Sequence, residues 1–377
     1  MQADIVAIAI AFILGFGARF VALPPLVGYL VAGFALYAAG MRPSVTLLEF
    51  SEMGVTLLLF SIGLKLRLGS LLMPQIWGVA SLHMAITVAL VSLFLYGLGI
   101  AGFALFADLD LQPLMLIAFA LSFSSTVFAV KVLEGKGEMG SFYGRIAIGI
   151  LIMQDIAAVI FLAVSTGKMP SLWALLLFAL IPLKPVLHKM LEKSGHGELQ
   201  VLFGLTLALG GAQVFELAGV KGDLGALILG VLLASHVRAS ELARQLLGFK
   251  DLFLVGFFLN IGLSGPLDLD AIWIALLLLL LVPLKTGLFF LLLSAFRLRV
   301  RTSLLTSLAL ANYSEFGLIV AAIAVSSGWL APEWLIIIAI ALSLSFIIAA
   351  PLNSAAYALY ARFGSGLAGF ESPRRIA

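Results

Sequence analysis

The chain is 377 residues long, 63% hydrophobic and 11% charged, against about 45–50% apolar and about 25% charged in soluble domains. A mean hydropathy of +1.19 excludes a water-soluble globular fold, and the lack of cysteine excludes disulfides, thiolate metal sites and thiol catalysis. The net charge of +3 says little as a sum, because in a membrane protein the placement of charge carries the information.

Apolar runs long enough to cross about 30 Å of hydrocarbon, which takes about 20 helical residues, recur along the whole sequence. Lipid offers backbone groups no partner, so such runs are helical, and the composition predicts an all-α polytopic protein in a lipid bilayer. Thirteen segments are read, near 4–18, 23–39, 49–64, 76–106, 112–131, 144–166, 171–188, 199–217, 222–236, 251–265, 271–295, 302–327 and 331–360. The first has no basic flank before it and no small-residue cleavage pattern after it, and reads as a retained helix rather than a signal peptide. With the N-terminus outside, eighteen of the 22 Lys and Arg residues fall on the inner side, including Arg19, Lys136, Arg145 and Arg301. Arg42, Lys168 and Lys221 fall outside, and Lys285 lies within the membrane. This asymmetry predicts an odd number of spans with the C-terminus in the cytoplasm, in a multi-pass protein expected in the cell inner (plasma) membrane.

Segments two and three resemble nine and ten. "GYLVAG" (Gly28 to Gly33) matches "GALILG" (Gly225 to Gly230), and "FSEMGVTLLLFSIGL" (Phe50 to Leu64) aligns without a gap on "FKDLFLVGFFLNIGL" (Phe249 to Leu263). Seven spans separate each pair, and an odd number inserts the two halves with opposite orientation, as in many secondary transporters. Residues 1–361 therefore read as one transmembrane domain. It comprises a first repeat of about 1–166, a linker helix at 171–188 and a second repeat of about 199–360, with a cytoplasmic tail at 362–377. Chance similarity between apolar helices is the competing reading of such short matches.

Segment five carries "SFSST" (Ser122 to Thr126) and its counterpart, segment twelve, "NYSE" (Asn312 to Glu315). Short hydroxyl and amide side chains compete with helical backbone bonding and satisfy backbone groups where a helix is interrupted. Two discontinuous helices crossing at mid-depth are expected, with Ser125, Thr126, Asn312 and Ser314 at the breaks. Ser and Thr also serve ordinary helix packing in membranes. Segment six, "ILIMQDIAAVIFLAV" (Ile150 to Val164), sets Gln154 and Asp155 amid hydrocarbon. Asp155 is ten residues from Arg145, Lys285 twelve from Arg297 and Glu315 fourteen from Arg301, which at about 1.5 Å per residue puts all three near mid-depth. Each costs roughly 2.5–3.5 kcal/mol to insert. A buried Asp155–Lys285 ion pair holding the bundle together is one reading. The other is ion chemistry: burial favours the neutral form of a carboxyl and a cation favours its charged form, so a proton and a monovalent cation would compete at Asp155. Exclusive binding of the two makes an exchanger, electroneutral if one replaces one. Gln154 adds an uncharged carbonyl or amide donor beside it.

Other signals carry less. "GKGEMG" (Gly135 to Gly140) matches G-x-G-x-x-G, but it follows a membrane helix and no strand precedes it, so it reads as a loop. His83, His188, His196 and His236 show no metal-ligand spacing and read as packed or solvated. "KMLEKSGHGE" is a solvated loop, not a nucleic-acid patch.

"PPLVGYLVAG", "LLLFSIGLKL", "LSFSSTVFAVKVLE", "MQDIAAV", "ASHVRASELARQLLGFKDLFLVGFFLNIGLS", "LVPLKTG" and "SEFGLIV" together resemble the second cation:proton antiporter family, and within it the Kef-type potassium efflux systems. The resemblance covers nearly the whole chain. It implies thirteen spans, a homodimer, crossed discontinuous helices and an elevator-like movement of a core domain against a dimerisation scaffold. It also implies potassium/proton antiport without an enzymatic step or resident cofactor, K+ and H+ being cargo. By motif, Asp155 corresponds to the ion-carrying acid and Gln154 to a position that is Asp or Asn in sodium/proton relatives. Lys285 corresponds to the midplane lysine of span eleven, and Ser125, Thr126 and Glu315 fall on the interrupted helices. The Gln-Asp pair is similar to potassium-selective members. Sodium/proton exchange on the same fold and a gated potassium efflux channel are the alternatives. Kef-type chains continue into a cytosolic nucleotide-binding regulatory domain, so the tail here is expected to lead to such a domain or to meet an ancillary subunit. Before Glu315 the sequence reads Tyr-Ser where relatives usually have Gly.

Overall fold

The computed structural model describes residues 2–21, 23–65, 73–107, 109–165, 180–218 and 222–367. Among the described residues there is no strand, and the chain order is α1 (Gln2–Phe20), α2 (Pro25–Ala38), α3 (Val45–Lys65), α4 (Pro74–Ile100), α5 (Ala104–Ala107) and α6 (Leu111–Ser122). Then follow α7 (Thr126–Gly135), α8 (Phe142–Ser165), α9 (Leu180–Lys193), α10 (Glu198–Leu217), α11 (Gly222–Leu233) and α12 (Ala239–Gly262). The last are α13 (Leu269–Leu279), α14 (Leu281–Ala295), α15 (Val300–Ala309), α16 (Glu315–Ser326), α17 (Glu333–Ser354) and α18 (Ala356–Leu367).

The protein is all-α and membrane-embedded. Seven helical stretches among the described residues are long and apolar enough to cross a membrane, two of them counted through a break, and three shorter apolar helices accompany them. Exposed Phe12, Leu93, Leu217 and Trp273 suit a surface solvated by lipid. The segments near 112–131 and 302–327 divide at breaks. The segment near 271–295 bends at Leu280, where Pro283 has no N–H to continue the helical bonding. The segment near 251–265 is the end of a longer helix whose start, with Glu241, Arg244 and Gln245, is too polar to read as a span. The expected linker begins outside the described residues and is seen from Leu180 as α9, and the tail is described to Leu367.

The chain forms two compact units, Met1–Gly15 with Gly28–Gly69 and Val159–Ser264, and Phe16–Val27 with Ser70–Ala158 and Gly265–Ala377. The first is organised by glycines that let helices touch backbone to backbone. A Cβ at Gly63 on α3 would lie 2.4 Å from Leu227 O on α11 and 2.9 Å from Gly230 Cα, and one at Gly230 would lie 2.4 Å from Phe60 O. At a second crossing, a Cβ at Gly33 on α2 would lie 2.5 Å from Leu259 O on α12, and one at Gly262 would lie 2.5 Å from Leu30 O. Around the first crossing Leu57, Phe60, Leu64, Leu229, Leu233 and Leu242 pack into one buried cluster, and around the second Ala32, Leu36, Leu259 and Leu263 pack into another.

The second unit holds α4, α6, α7, most of α8 and α13 to α18. Here α16 passes α6 so closely that a Cβ at Gly317 would lie 2.3 Å from Ala120 O. All the sequence-predicted site residues fall in this unit.

Candidate functional site

α6 stops because Phe123 turns extended (φ −72°, ψ 149°). α7 starts again at Thr126, with Ser125 Oγ accepting from Phe128 N at 3.1 Å as its cap. The second break spans the residues between Ala309 and Glu315. Ser314 is extended (φ −121°, ψ 148°) and its Oγ accepts from Phe316 N at 3.1 Å. Neither Tyr313 nor Ser314 adopts a positive φ, so this break requires no glycine.

The breaks are bound to each other. Ser125 N donates to Asn312 Oδ1 at 2.7 Å, and Ser124 Oγ donates to Leu310 O at 2.9 Å. Asn312 Nδ2 turns back to Ala309 O at 3.2 Å. Each break is also held by a side chain from an unbroken neighbour. Gln154 on α8 accepts from Ser124 N at 2.9 Å and donates to Ser122 O at 3.3 Å. Ser345 on α17 accepts from Tyr313 N at 3.0 Å, while Tyr313 Oη donates to Leu278 O at 2.6 Å beside the bend of α13 and α14. These are buried peptide groups that no helix satisfies, and leaving one unpaired costs about 1–3 kcal/mol.

Lys285 on α14, 2% exposed, donates from Nζ to Leu121 O at 3.3 Å, to Phe123 O, and to Asn312 O at 2.9 Å. The ammonium thus closes the C-terminal ends of α6 and α15 and lies 5.3 Å from the Tyr313 ring centroid. A helix C-terminus carries about half a negative elementary charge, so two such ends match one lysine. The opposite ends hold the acids: Thr126, the first residue of α7, donates from Oγ1 to Asp155 Oδ2 at 3.4 Å, and Glu315 opens α16. Positive helix ends favour carboxylates. Asp155 and Glu315 are each 3% exposed and Gln154 and Asn312 fully buried.

The structure thus gathers Gln154, Asp155, Ser125, Thr126, Lys285, Asn312, Ser314 and Glu315 around the two breaks. Gln154 contacts the backbone of the first break rather than standing free beside Asp155. Sequence reasoning missed Ser124, Tyr313 and Ser345 as partners of the breaks. A hydroxyl in the apolar run "ALSLSFII" was the available signal for Ser345. His83 is packed, its ring stacked on Phe289 with centroids 3.4 Å apart and Nε2 meeting Lys285 O at 3.2 Å. No group of three or more His, Asp or Glu among the described residues is arranged to hold a metal.

The site thus sets a buried carboxylate beside two interrupted helices in an all-α membrane unit. The model of the family described as "Sodium/hydrogen exchanger, transmembrane" matches residues 6–354, and the chain belongs to that family. It is 30% identical to the glutathione-regulated potassium-efflux system protein KefC of Salmonella heidelberg (strain SL476) and 29% identical to that of Enterobacter sp. (strain 638). Each match covers 86% of this chain and 55% of the relative, so the chain spans about half the length of these curated relatives. Among solved structures, the sodium proton antiporter MjNhaP1 from Methanocaldococcus jannaschii at pH 8 superposes with a TM-score of 0.63, covering 93% of this chain and 96% of that one, at 16% identity. That likeness concerns the fold.

Proposed function

We propose that the chain is a potassium/proton antiporter in which a proton and K+ bind alternately at Asp155. The observation that carries this reading is the placement of Thr126, at the start of a half-helix, against a buried carboxylate. Partial positive charge from the helix end keeps the acid ionisable in oil, while hydroxyl and carbonyl oxygens freed at the breaks replace ion hydration. Binding a proton or a cation cancels the same single charge, and only a cancelled charge crosses the hydrocarbon barrier cheaply. Gln154 acts by fixing the first break; Lys285 acts by donating to the backbone carbonyls at the two C-terminal ends.

Potassium is preferred over sodium because the relatives at about 30% identity are named as potassium-efflux proteins and because Gln154 leaves one acid in the pair, not two. The fold would comprise two repeats of about 1–166 and 199–360, joined through 171–188, with the N-terminus outside and 362–377 inside, and an elevator-like movement of a core domain carrying this site against a dimerisation scaffold would expose it to the two sides in turn. The paired glycine crossings at sequence-equivalent positions of the first unit support that arrangement. A homodimer, and a nucleotide-binding regulatory domain or subunit at the cytoplasmic end, complete the proposal.

The test is proton flux in inverted vesicles carrying a pH dye. K+ should evoke proton release, Asp155→Asn should abolish it, and a Li+, Na+, K+, Rb+ series should peak at K+. A peak at Na+ would overturn the potassium assignment, and unitary current steps in a planar bilayer would replace exchange by a channel.

A further inference from the structure

The basic end of the second unit contains a cavity of about 740 Å³ between the turn after α1, the end of α7 and the end of α17. Its described ionisable lining residues are both cations, Arg19 and Lys136, accompanied by the polar Asn353 and Ser354. The remaining wall is apolar and includes Phe128 and Val132, which extend up α7 toward Thr126. We propose that this cavity binds the phosphate headgroup of an anionic phospholipid, with an acyl chain along the apolar wall.

Lys136 is pre-positioned for such a ligand. Its Nζ donates to Asn353 O at 2.7 Å, which leaves two N–H groups for an anion. Burial draws the Lys136 pKa below its ordinary value, against the pull of nearby Glu138, and an entering anion would favour the charged form. Glu138 itself does not line the cavity. Its two oxygens accept from Tyr143 Oη and Tyr357 Oη. Size also fits, since small-molecule pockets run to about 300–1,000 Å³. One side charged and the other apolar is the pattern of a phospholipid rather than of a free ion. Occupancy would bear on transport, because Phe128 stacks on Phe346 at 5.4 Å between centroids, next to the Ser345 that holds the second break.

The experiment is thermal unfolding of the purified full chain in neutral detergent with phosphatidylglycerol, with phosphatidylcholine of the same acyl chains, or with inorganic phosphate. Phosphatidylglycerol should raise the midpoint by about 3 °C or more over phosphatidylcholine. Arg19→Gln with Lys136→Gln should remove most of that difference, while Arg42→Gln, distant in sequence and outside this unit, should keep it. Equal midpoints for the two lipids, or an undiminished difference in the double variant, would overturn the proposal. An equal rise with inorganic phosphate would overturn the lipid assignment in favour of a free anion. Should the double variant not fold, native mass spectrometry of the unmodified chain in a mixture of the two lipids decides. Preferential retention of phosphatidylglycerol supports the site, and retention without preference refutes it. None of these readouts depends on ion flux.

Discussion

Lys285 and Asp155 lie in the same unit but differ in what their removal exposes. Lys285→Met leaves three buried carbonyls without their donor, at about 1–3 kcal/mol for each group left unpaired and less than additively. Asp155→Asn leaves the network at the breaks intact, since the amide can still accept from Thr126. We therefore expect Asp155→Asn to abolish flux while the unfolding midpoint holds or rises, and Lys285→Met to lower the midpoint clearly. Detergent melts of both variants beside the vesicle assay check this. A midpoint unchanged by Lys285→Met would remove the lysine from its place as donor to the helix ends. In the sequence the acid was legible because a carboxylate in an unbroken apolar run has no inexpensive explanation. The lysine was legible as buried but not in its partners, because backbone carbonyls leave no mark on the residue string. The partners of Gln154 were illegible for the same reason, its contacts being the main chain of another helix.

At the level of elements, "SFSST" and "NYSE" announced two interruptions because six of their residues carry short polar side chains in otherwise apolar spans. What the sequence could not supply was the partner of Ser124 N and of Tyr313 N, which comes from helices α8 and α17, about thirty residues away. Ser345→Ala would leave Tyr313 N unpaired at a fully buried site and should destabilise the protein by about 1–3 kcal/mol while slowing exchange. Ser343→Ala removes only a bond to Ala339 O within its own helix and should change stability by less than about 0.5 kcal/mol. The loop after α7 offers a pH test. Partial burial would raise the Glu138 pKa, but donation from Tyr143 and Tyr357, with Lys136 and Arg301 nearby, brings it below its ordinary value near 4.5. A depressed carboxylate stabilises the fold above its unfolded value, and that contribution fades as pH falls below about 4.5 through the folded value. Glu138→Gln should therefore reduce the loss of stability on acidification below that pH, read as a smaller drop in melting midpoint than in the unmodified chain.

For the whole molecule, composition alone decided the solvent and so the fold class, because no soluble core needs this much hydrocarbon. Helix packing was less legible, since a glycine in a membrane span reads equally as filler or as a crossing point. The alignment of "GYLVAG" and "FSEMGVTLLLFSIGL" with their later counterparts marked Gly33, Gly63, Gly230 and Gly262 as equivalent pairs, and the structure sets Gly63 against Gly230 and Gly33 against Gly262. Such contacts depend on dispersion between close backbones, the main attraction available to helices already in oil. A methyl at Gly63 must separate α3 from α11, because its nearest neighbour, 2.4 Å away, is a backbone oxygen that cannot rotate aside as a side chain would. Gly63→Ala should thus destabilise the protein by about 1–3 kcal/mol. Gly97→Ala, where a Cβ meets nothing within 4 Å, should be neutral or stabilising by about 0.4–1 kcal/mol. Because Gly63 and Gly230 share one crossing, helices already separated by the first methyl accommodate the second at little further cost. The double variant should then lose clearly less than the sum of the single losses, measured by detergent unfolding in a double-mutant cycle. Strict additivity would mean that the two glycines do not meet.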